Sequence, residues 1–396
     1  MTPLGPNIFW QDAALSLKLL VSPSKRGQAV AVLEKLFAKK YGNAISFNAG
    51  RVAMMAILKS LELPPEAEVL IQSYTCVAVP DAVLWSGLKP VFVDIQEQTF
   101  NMDPQDLKEK ITPHSKVVVV QHTFGIPAPI DKIMALAKKH NLFVVEDFAH
   151  GWPDKITGDA AFFSFGRDKV ISCVFGGMAV TGSMNLAKKI MQFQSSLDEP
   201  SILWTIQQLF FNPAMFFIIK TYDFGLGRLL HFILQKLNLL SKAVLNQEKI
   251  GQQPKIFPRK MSGSLASLAL LQLERLNKFN QKRLEICRLY GWQLKDLPIK
   301  HPPQGFPLLR YTILVDQPQK LLAYAKKRGL YLGNWYDSVV APKDTDLKKI
   351  GYRISSCPVA EKVAVKSVNL LTSPNMSSKD IEKIIKVVRN FYVKNH

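Results

Sequence analysis

The stretch that decides the fold is Phe143–Val180, FVVEDFAHGWPDKITGDAAFFSFGRDKVISCVFGGMAV. It opens on an apolar run, Phe143-Val144-Val145, that reads as a buried strand ending in two acids, Glu146 and Asp147. It closes on a second apolar run after the Gly176-Gly177 pair. Between the two lie Asp147, His150, Ser164, Arg167, Asp168 and Lys169. Each has an ordinary structural use. Asp147 can cap a following helix, His150 can hydrogen-bond in the core, and Lys169 can be one more surface lysine. The ordered set says more than its members.

Upstream, strands and helices alternate. Gln28–Tyr41 reads as an amphipathic helix closed by Gly42, and Ile45–Phe47 as a short strand. The turn Asn48-Ala49-Gly50-Arg51 then feeds a helix from near Arg51. A glycine turn entering a helix presents free backbone N–H groups and a positive dipole end, which suits a phosphate. Further strands are expected at Glu68–Ile71, Val91–Val93, Val117–Val120 and Phe143–Val145, with helices at Ala78–Ser86, Leu107–Ile111 and Ile130–His140. Nearly continuous apolar strands alternating with helices imply an α/β fold, a mainly parallel sheet covered on both faces. Ligands gather at the C-terminal ends of such strands, where Gly50, Tyr74, Thr75, His122 and Asp147 all fall. An acid at a strand end, then a hydroxyl and a lysine on a glycine-containing loop, is the set a pyridoxal phosphate (PLP) enzyme needs. The lysine forms the Schiff base, the carboxylate keeps the pyridine nitrogen protonated, and hydroxyl and backbone donors hold the phosphate.

The remainder is less regular. Residues 1–25 carry little pattern. Ile202–Ile219 has no charged residue and approaches the length of a membrane span, but Gln207, Gln208, Asn212 and Pro213 interrupt it, and Pro213 is expected to break a helix. Leu226–Leu245 is amphipathic, with Arg228, Lys236 and Lys242 on its polar side. Packed or subunit-interface helices are the expectation here, with an interfacial membrane contact as the alternative. After the basic loop Phe257–Met261, one long helix is expected over Leu265–Tyr290, with Leu268, Leu271 and Leu276 inward. A strand at Arg310–Val315, a helix at Lys320–Arg328, a strand at Leu330–Leu332 and a helix at Ser378–Tyr392 complete a smaller α+β unit. The implied domains are residues 1–250, with an apolar helical insertion at about 200–245, and residues 251–396.

Composition bounds the partners. The chain has 396 residues, a net charge of +20 and a pI near 9.7. Its basic residues are dispersed with no RNA-binding or zinc-finger pattern, so a lysine-rich surface rather than nucleic-acid binding is expected. The cysteines, Cys76, Cys173, Cys287 and Cys357, lack metal-ligand spacing. With no signal peptide visible, a reducing cytoplasm is the expected location, with membrane association as a variant of it.

The chain resembles the DegT/StrS-type sugar aminotransferases, PLP enzymes that place amino groups on nucleotide-linked keto-sugars. NAGRVA, VLIQSYTCVAVPDAV, PVFVDIQEQTFNMD, VVVVQHTFGIP, VVEDFAH, GDAAFFSFGRDK, Gly176-Gly177 and CPVAEKV carry the resemblance over roughly residues 33–388. It implies an aspartate-aminotransferase-like fold (PLP fold type I), a homodimer with active sites at the subunit interface, and an amino-acid donor, glutamate. It implies Lys169 as the catalytic Schiff-base lysine and Asp147 as the acid on the pyridine nitrogen. His150 would lie beside the ring's phenolic oxygen, Ser164 would be a phosphate ligand, and Gly50-Arg51 the phosphate turn. Three departures stand out. Arg51 replaces a commoner Thr, where it either adds contacts to the phosphate or pairs elsewhere. Cys76 stands at the cofactor position where an aromatic residue usually stacks. The basic loop lacks the Asn that a partner subunit often supplies, leaving Arg259 or Lys260 to take its place. A same-fold sugar dehydratase would have histidine in place of Lys169. The apolar segment and the charge would also suit a non-catalytic or membrane-surface binding protein that retains the fold. The site residues alone would equally serve an aminotransferase acting on a non-sugar carbonyl.

Overall fold

A computed structural model describes residues 5, 7–21 and 26–393. Seven strands form the central sheet: β1 Asn43–Phe47, β2 Glu68–Gln72, β3 Lys89–Val93, β4 Ser115–Gln121, β5 Phe143–Asp147, β6 Ala160–Ser164 and β7 Gly177–Thr181. Their order is β1-β7-β6-β5-β4-β2-β3. Every neighbouring pair is parallel except the two made by β7, which runs against both β1 and β6. The four-valine run of β4 is buried throughout, as a strand covered on both faces must be. This is the α/β sheet of an aspartate-aminotransferase-like fold.

Because β1, β2, β4, β5 and β6 point the same way, the loops after them open on one edge of the sheet. Those loops carry Gly50, Thr75, His122, Asp147 and the Lys169 segment. The C-terminal part builds a second small sheet, β8 Tyr311–Leu314 antiparallel to β9 Ser367–Leu370, backed by the helices Pro318–Lys326 and Ser378–Val393. It reaches the same edge through a parallel bridge of Val340–Ala341 to Thr75–Cys76.

Four local expectations change. Trp10–Val21 is a helix although its sequence shows little pattern. It forms because Ala13 and Ser16 bury against the helix Ile202–Thr221, where Asn212 Nδ2 donates to Ser16 Oγ at 3.1 Å. That second helix runs unbroken through Pro213. Burial of Leu209, Phe211, Ala214, Met215 and Ile218 along it outweighs a proline cost of about 3 kcal/mol. The expected long helix is two, Gly263–Glu274 and Leu276–Gln293, broken at Arg275. The Arg275 side chain is drawn to the buried Asp12, with which it pairs at 2.5 Å. Leu330–Leu332 forms no strand; only Gly333 bridges, to Asn369. The four cysteines are free thiols.

Candidate active site

At the open edge of the sheet, one open cavity is lined by Gly50, Arg51, Thr75, Cys76, Gln121, Asp147, His150, Ser164, Lys169, Trp335 and Tyr336. Gly50, Arg51, Cys76, Asp147, His150, Ser164 and Lys169, the residues singled out in the sequence, are all on this wall.

One end is built for an anion. The helix Gly50–Ser60 starts after Ala49, which offers no side-chain cap, and its first intrahelical bonds begin with the Val52 and Ala53 N–H groups. The N–H groups of Gly50 and Arg51 are thus left over at a positive helix end. Ser164, the last residue of β6, faces them so closely that a Cβ on Gly50 would lie 2.7 Å from the Ser164 Cβ. A Cβ on Gly177 would lie 2.5 Å from Ala49 C, Ala49 O and Gly50 N, all backbone. Gly177→Ala is therefore expected to displace the turn, to cost about 1–3 kcal/mol of stability, and to weaken the binding of a phosphate-bearing ligand about tenfold or more. Denaturation of the variant, and its titration with PLP as the probe, check both.

Arg51 contributes its N–H to this cradle, not its charge. Its guanidinium turns away to pair with the buried Glu248, donates to Ala243 O at 2.9 Å and lies over the Phe257 ring. Of the two uses open to it in the sequence, pairing elsewhere is the one adopted. The basic loop is likewise engaged within the chain. Arg259 pairs with Asp198 at 3.5 Å, and its N–H bonds to Asn48 Oδ1 at 3.2 Å.

The opposite end carries a buried acid. Asp147, at the end of β5, accepts one hydrogen bond, from Ala149 N at 2.7 Å. No helix follows it, so it is not an N-cap. Burial raises its pKa to about 6, opposed by the Ala149 bond and by the charges of Lys169 and His122. A buried carboxylate with so few donors fits a cationic N–H partner placed in the cavity. Behind it, His122 Nε2 meets Glu146 at 3.1 Å and His122 Nδ1 accepts from Ala128 N at 3.0 Å. Burial alone would raise Glu146, but hydrogen bonds from His122, Gly158 and Thr157 hold it below the usual range. His122 therefore supports the Asp147 strand end from outside the cavity wall.

Lys169 sits on the loop between β6 and β7. Burial pushes its amine below the usual value, opposed by Cys76, Asp147 and Asp168. Its Nζ lies 5.7 Å from the centre of the Trp335 ring. Its backbone is fixed by a buried polar network: Asn7 Nδ2 donates to Lys169 O at 2.6 Å and to Val170 O at 3.0 Å, and Arg283 Nη2 donates to Asn7 Oδ1 and Val170 O, each at 2.9 Å.

His150 accepts from Phe124 N at Nδ1 (3.3 Å) and meets the Tyr336 hydroxyl at Nε2 (3.2 Å). Burial, with Lys169 and Arg310 nearby, lowers its pKa well below the ordinary value, so the ring is neutral and Nε2 carries the proton. Trp335 stacks against it, and the Arg310 guanidinium lies 5.3 Å from the centre of the Trp335 ring. Trp335, Tyr336 and Arg310 were missed in the sequence. They arrive from the C-terminal half, and the one available signal was the polar-aromatic run Asn334-Trp335-Tyr336-Asp337 after Gly333. Trp335 and Tyr336 supply the flat walls that Cys76, an aliphatic-sized side chain, does not.

These residues can hold a phosphate at one end, a protonated ring nitrogen at the other and an amine between. The sequence profile of the DegT/DnrJ/EryC1/StrS aminotransferase family matches residues 19–198 and 237–389. The chain is 33% identical over 201 residues to the GDP-perosamine synthase of Caulobacter vibrioides, a match covering 48% of this chain and 54% of that protein. It is 26% identical over 396 residues to the spore coat polysaccharide biosynthesis protein SpsC of Bacillus subtilis, covering 92% and 90%. The fold superimposes on the putative sugar aminotransferase Spr1654 of Streptococcus pneumoniae, solved in its PMP form, with a TM-score of 0.76 and 20% identity, covering 100% of this chain and 99% of that one.

Proposed function

The chain belongs to the DegT/DnrJ/EryC1/StrS aminotransferase family, and on that premise we propose that it moves an amino group from glutamate to a nucleotide-linked keto-sugar, with PLP as cofactor, in amino-sugar or surface polysaccharide synthesis. The observation that carries this reading is the arrangement of the Gly50–Ser164 cradle, the under-bonded Asp147 and the buried Lys169 around one cavity. The names of the relatives support the substrate class, since one is a GDP-perosamine synthase and another serves spore coat polysaccharide biosynthesis.

When bound, PLP would supply a carrier for the amino group and an electron sink for the carbanion. The protein supplies the rest. Gly50 N, Arg51 N and Ser164 Oγ hold the phosphate. The Asp147 carboxylate holds the ring nitrogen protonated, and that cation in turn keeps Asp147 ionised. Lys169 is the covalent anchor. Once released, its Nζ, neutral more readily than an exposed lysine because it is buried, takes the donor's α-proton in the first half-reaction and delivers a proton to the acceptor carbon in the second. His150, with its proton on Nε2, and Trp335 orient the ring. The enzyme acts in the cytoplasm as a homodimer, the partner closing the open side of the cavity.

The test is the visible spectrum of the purified protein with PLP, before and after borohydride, followed by peptide mass mapping. A band that borohydride removes, leaving the pyridoxyl group on Lys169, is expected. Glutamate should shift that band in the untreated enzyme, and a nucleotide-linked keto-sugar should restore it. Pyridoxyl groups scattered over surface lysines would overturn the reading, and light scattering gives the particle mass.

A further inference from the structure

Residues 199–236 lie outside the match to the family profile, and they hold the whole of the helix pair Ile202–Thr221 and Leu226–Lys236. The first helix is long and apolar enough to cross a membrane, yet it buries eight side chains against the protein, and so packs as a wall. The second is the unusual one. On a surface helix the apolar stripe ordinarily faces the core. Here Leu226, Leu229, Phe232 (62% exposed), Ile233 and Leu237 face outward, and Leu234 alone of its large apolar side chains is fully buried. Phe224, in the turn before it, is 87% exposed. Gln207 Nε2 donates to Asn238 O at 2.7 Å, which brings the start of the first helix, with exposed Leu203 and Ile206, beside exposed Leu237 and Leu239. The result is a contiguous apolar face of a kind that soluble surfaces rarely leave open.

Charge identifies the occupant. Residues 202–247 carry Lys220, Arg228, Lys236 and Lys242, all exposed, against one acid, Asp223, within a chain of net charge +20. A second copy meeting this face about a two-fold axis would set cation against cation. An anionic bilayer offers an apolar interior for the stripe and headgroups for the cations. We propose that the insertion docks the enzyme on an anionic membrane, with the stripe from Phe224 to Leu237 in the interface and Lys220, Arg228 and Lys236 among the headgroups. The proposal goes beyond the transamination reading and does not depend on it.

The full-length protein is sedimented with phosphatidylcholine vesicles and with vesicles containing about one-third phosphatidylglycerol. Binding to the anionic vesicles alone, falling about tenfold between low and high salt, is expected. The double variant Phe224→Glu/Leu229→Glu should lose binding by about tenfold or more with its PLP spectrum and its mass by light scattering unchanged. Lys220→Gln/Arg228→Gln, which leaves the apolar face intact, should weaken binding to the anionic vesicles and lower its salt dependence. Absence of vesicle binding, binding undiminished in both variants, or a halved particle mass in the first variant, the sign of a second copy on this face, would each overturn the proposal.

Discussion

Lys169→Ala is expected to reduce transamination about 10⁴-fold or more, since in the proposed mechanism Lys169 is both the covalent anchor and the group that moves the α-proton. The fold should survive. The Lys169 amine is a buried group whose charged form is already disfavoured, and its loop is held by main-chain contacts to Asn7 and Arg283 that the substitution leaves in place. The variant should still bind the pyridoxamine form, because the phosphate cradle and Asp147 are intact. A small primary amine in solution should return part of the lost proton transfer, which a merely structural lysine would not allow. Single-turnover kinetics with glutamate, with circular dichroism as the fold control, decide the matter. Turnover above about a hundredth of the parent rate would remove Lys169 from the role assigned to it.

Asp147→Asn should act in opposite directions on activity and stability. Activity is expected to fall about 10²–10⁴-fold, because an amide cannot hold a cationic ring nitrogen as a carboxylate does. Stability of the cofactor-free protein should rise at neutral and alkaline pH. Burial lifts the Asp147 carboxyl to about 6. A raised carboxylate pKa means that the folded protein disfavours the ionised form. The cost is absent below the unfolded value near 4 and fully present above about pH 6, where it amounts to about 3 kcal/mol. The variant should therefore gain up to about 3 kcal/mol over the parent at pH 8 and almost nothing at pH 4. Saturating PLP should shrink or reverse that gap at pH 8, because it binds the parent more tightly. Urea denaturation at the two pH values checks it, and equal stabilities at pH 8 would mean that Asp147 is neutral or paired there.

Much of this was legible in the chain because it depends on local pattern. Apolar runs of four or five residues alternating with helical periodicity determine an α/β sheet, since a strand without a polar face must be covered twice. Gly50, Asp147, Ser164 and Lys169 were visible because each stands at a strand end or on the loop next to one, where direction of the sheet alone brings them to one edge. Tertiary structure decided the rest. Nothing local marks Trp335 or Tyr336 as walls of the same cavity, because they reach it through a bridge from Val340–Ala341 to a strand some 265 residues earlier. Nothing local told Arg51 to turn to Glu248, whose position depends on the packing of a distant segment. Pro213 sits in a helix against its own preference because burial of its neighbours exceeds its cost, and that sum is known only when the partner helix Trp10–Val21 is in place. The direction of the Leu226–Lys236 stripe belongs with these. The sequence by itself determined that the helix is amphipathic, while only the fold, by filling the core on the other side, decided that its apolar face looks outward.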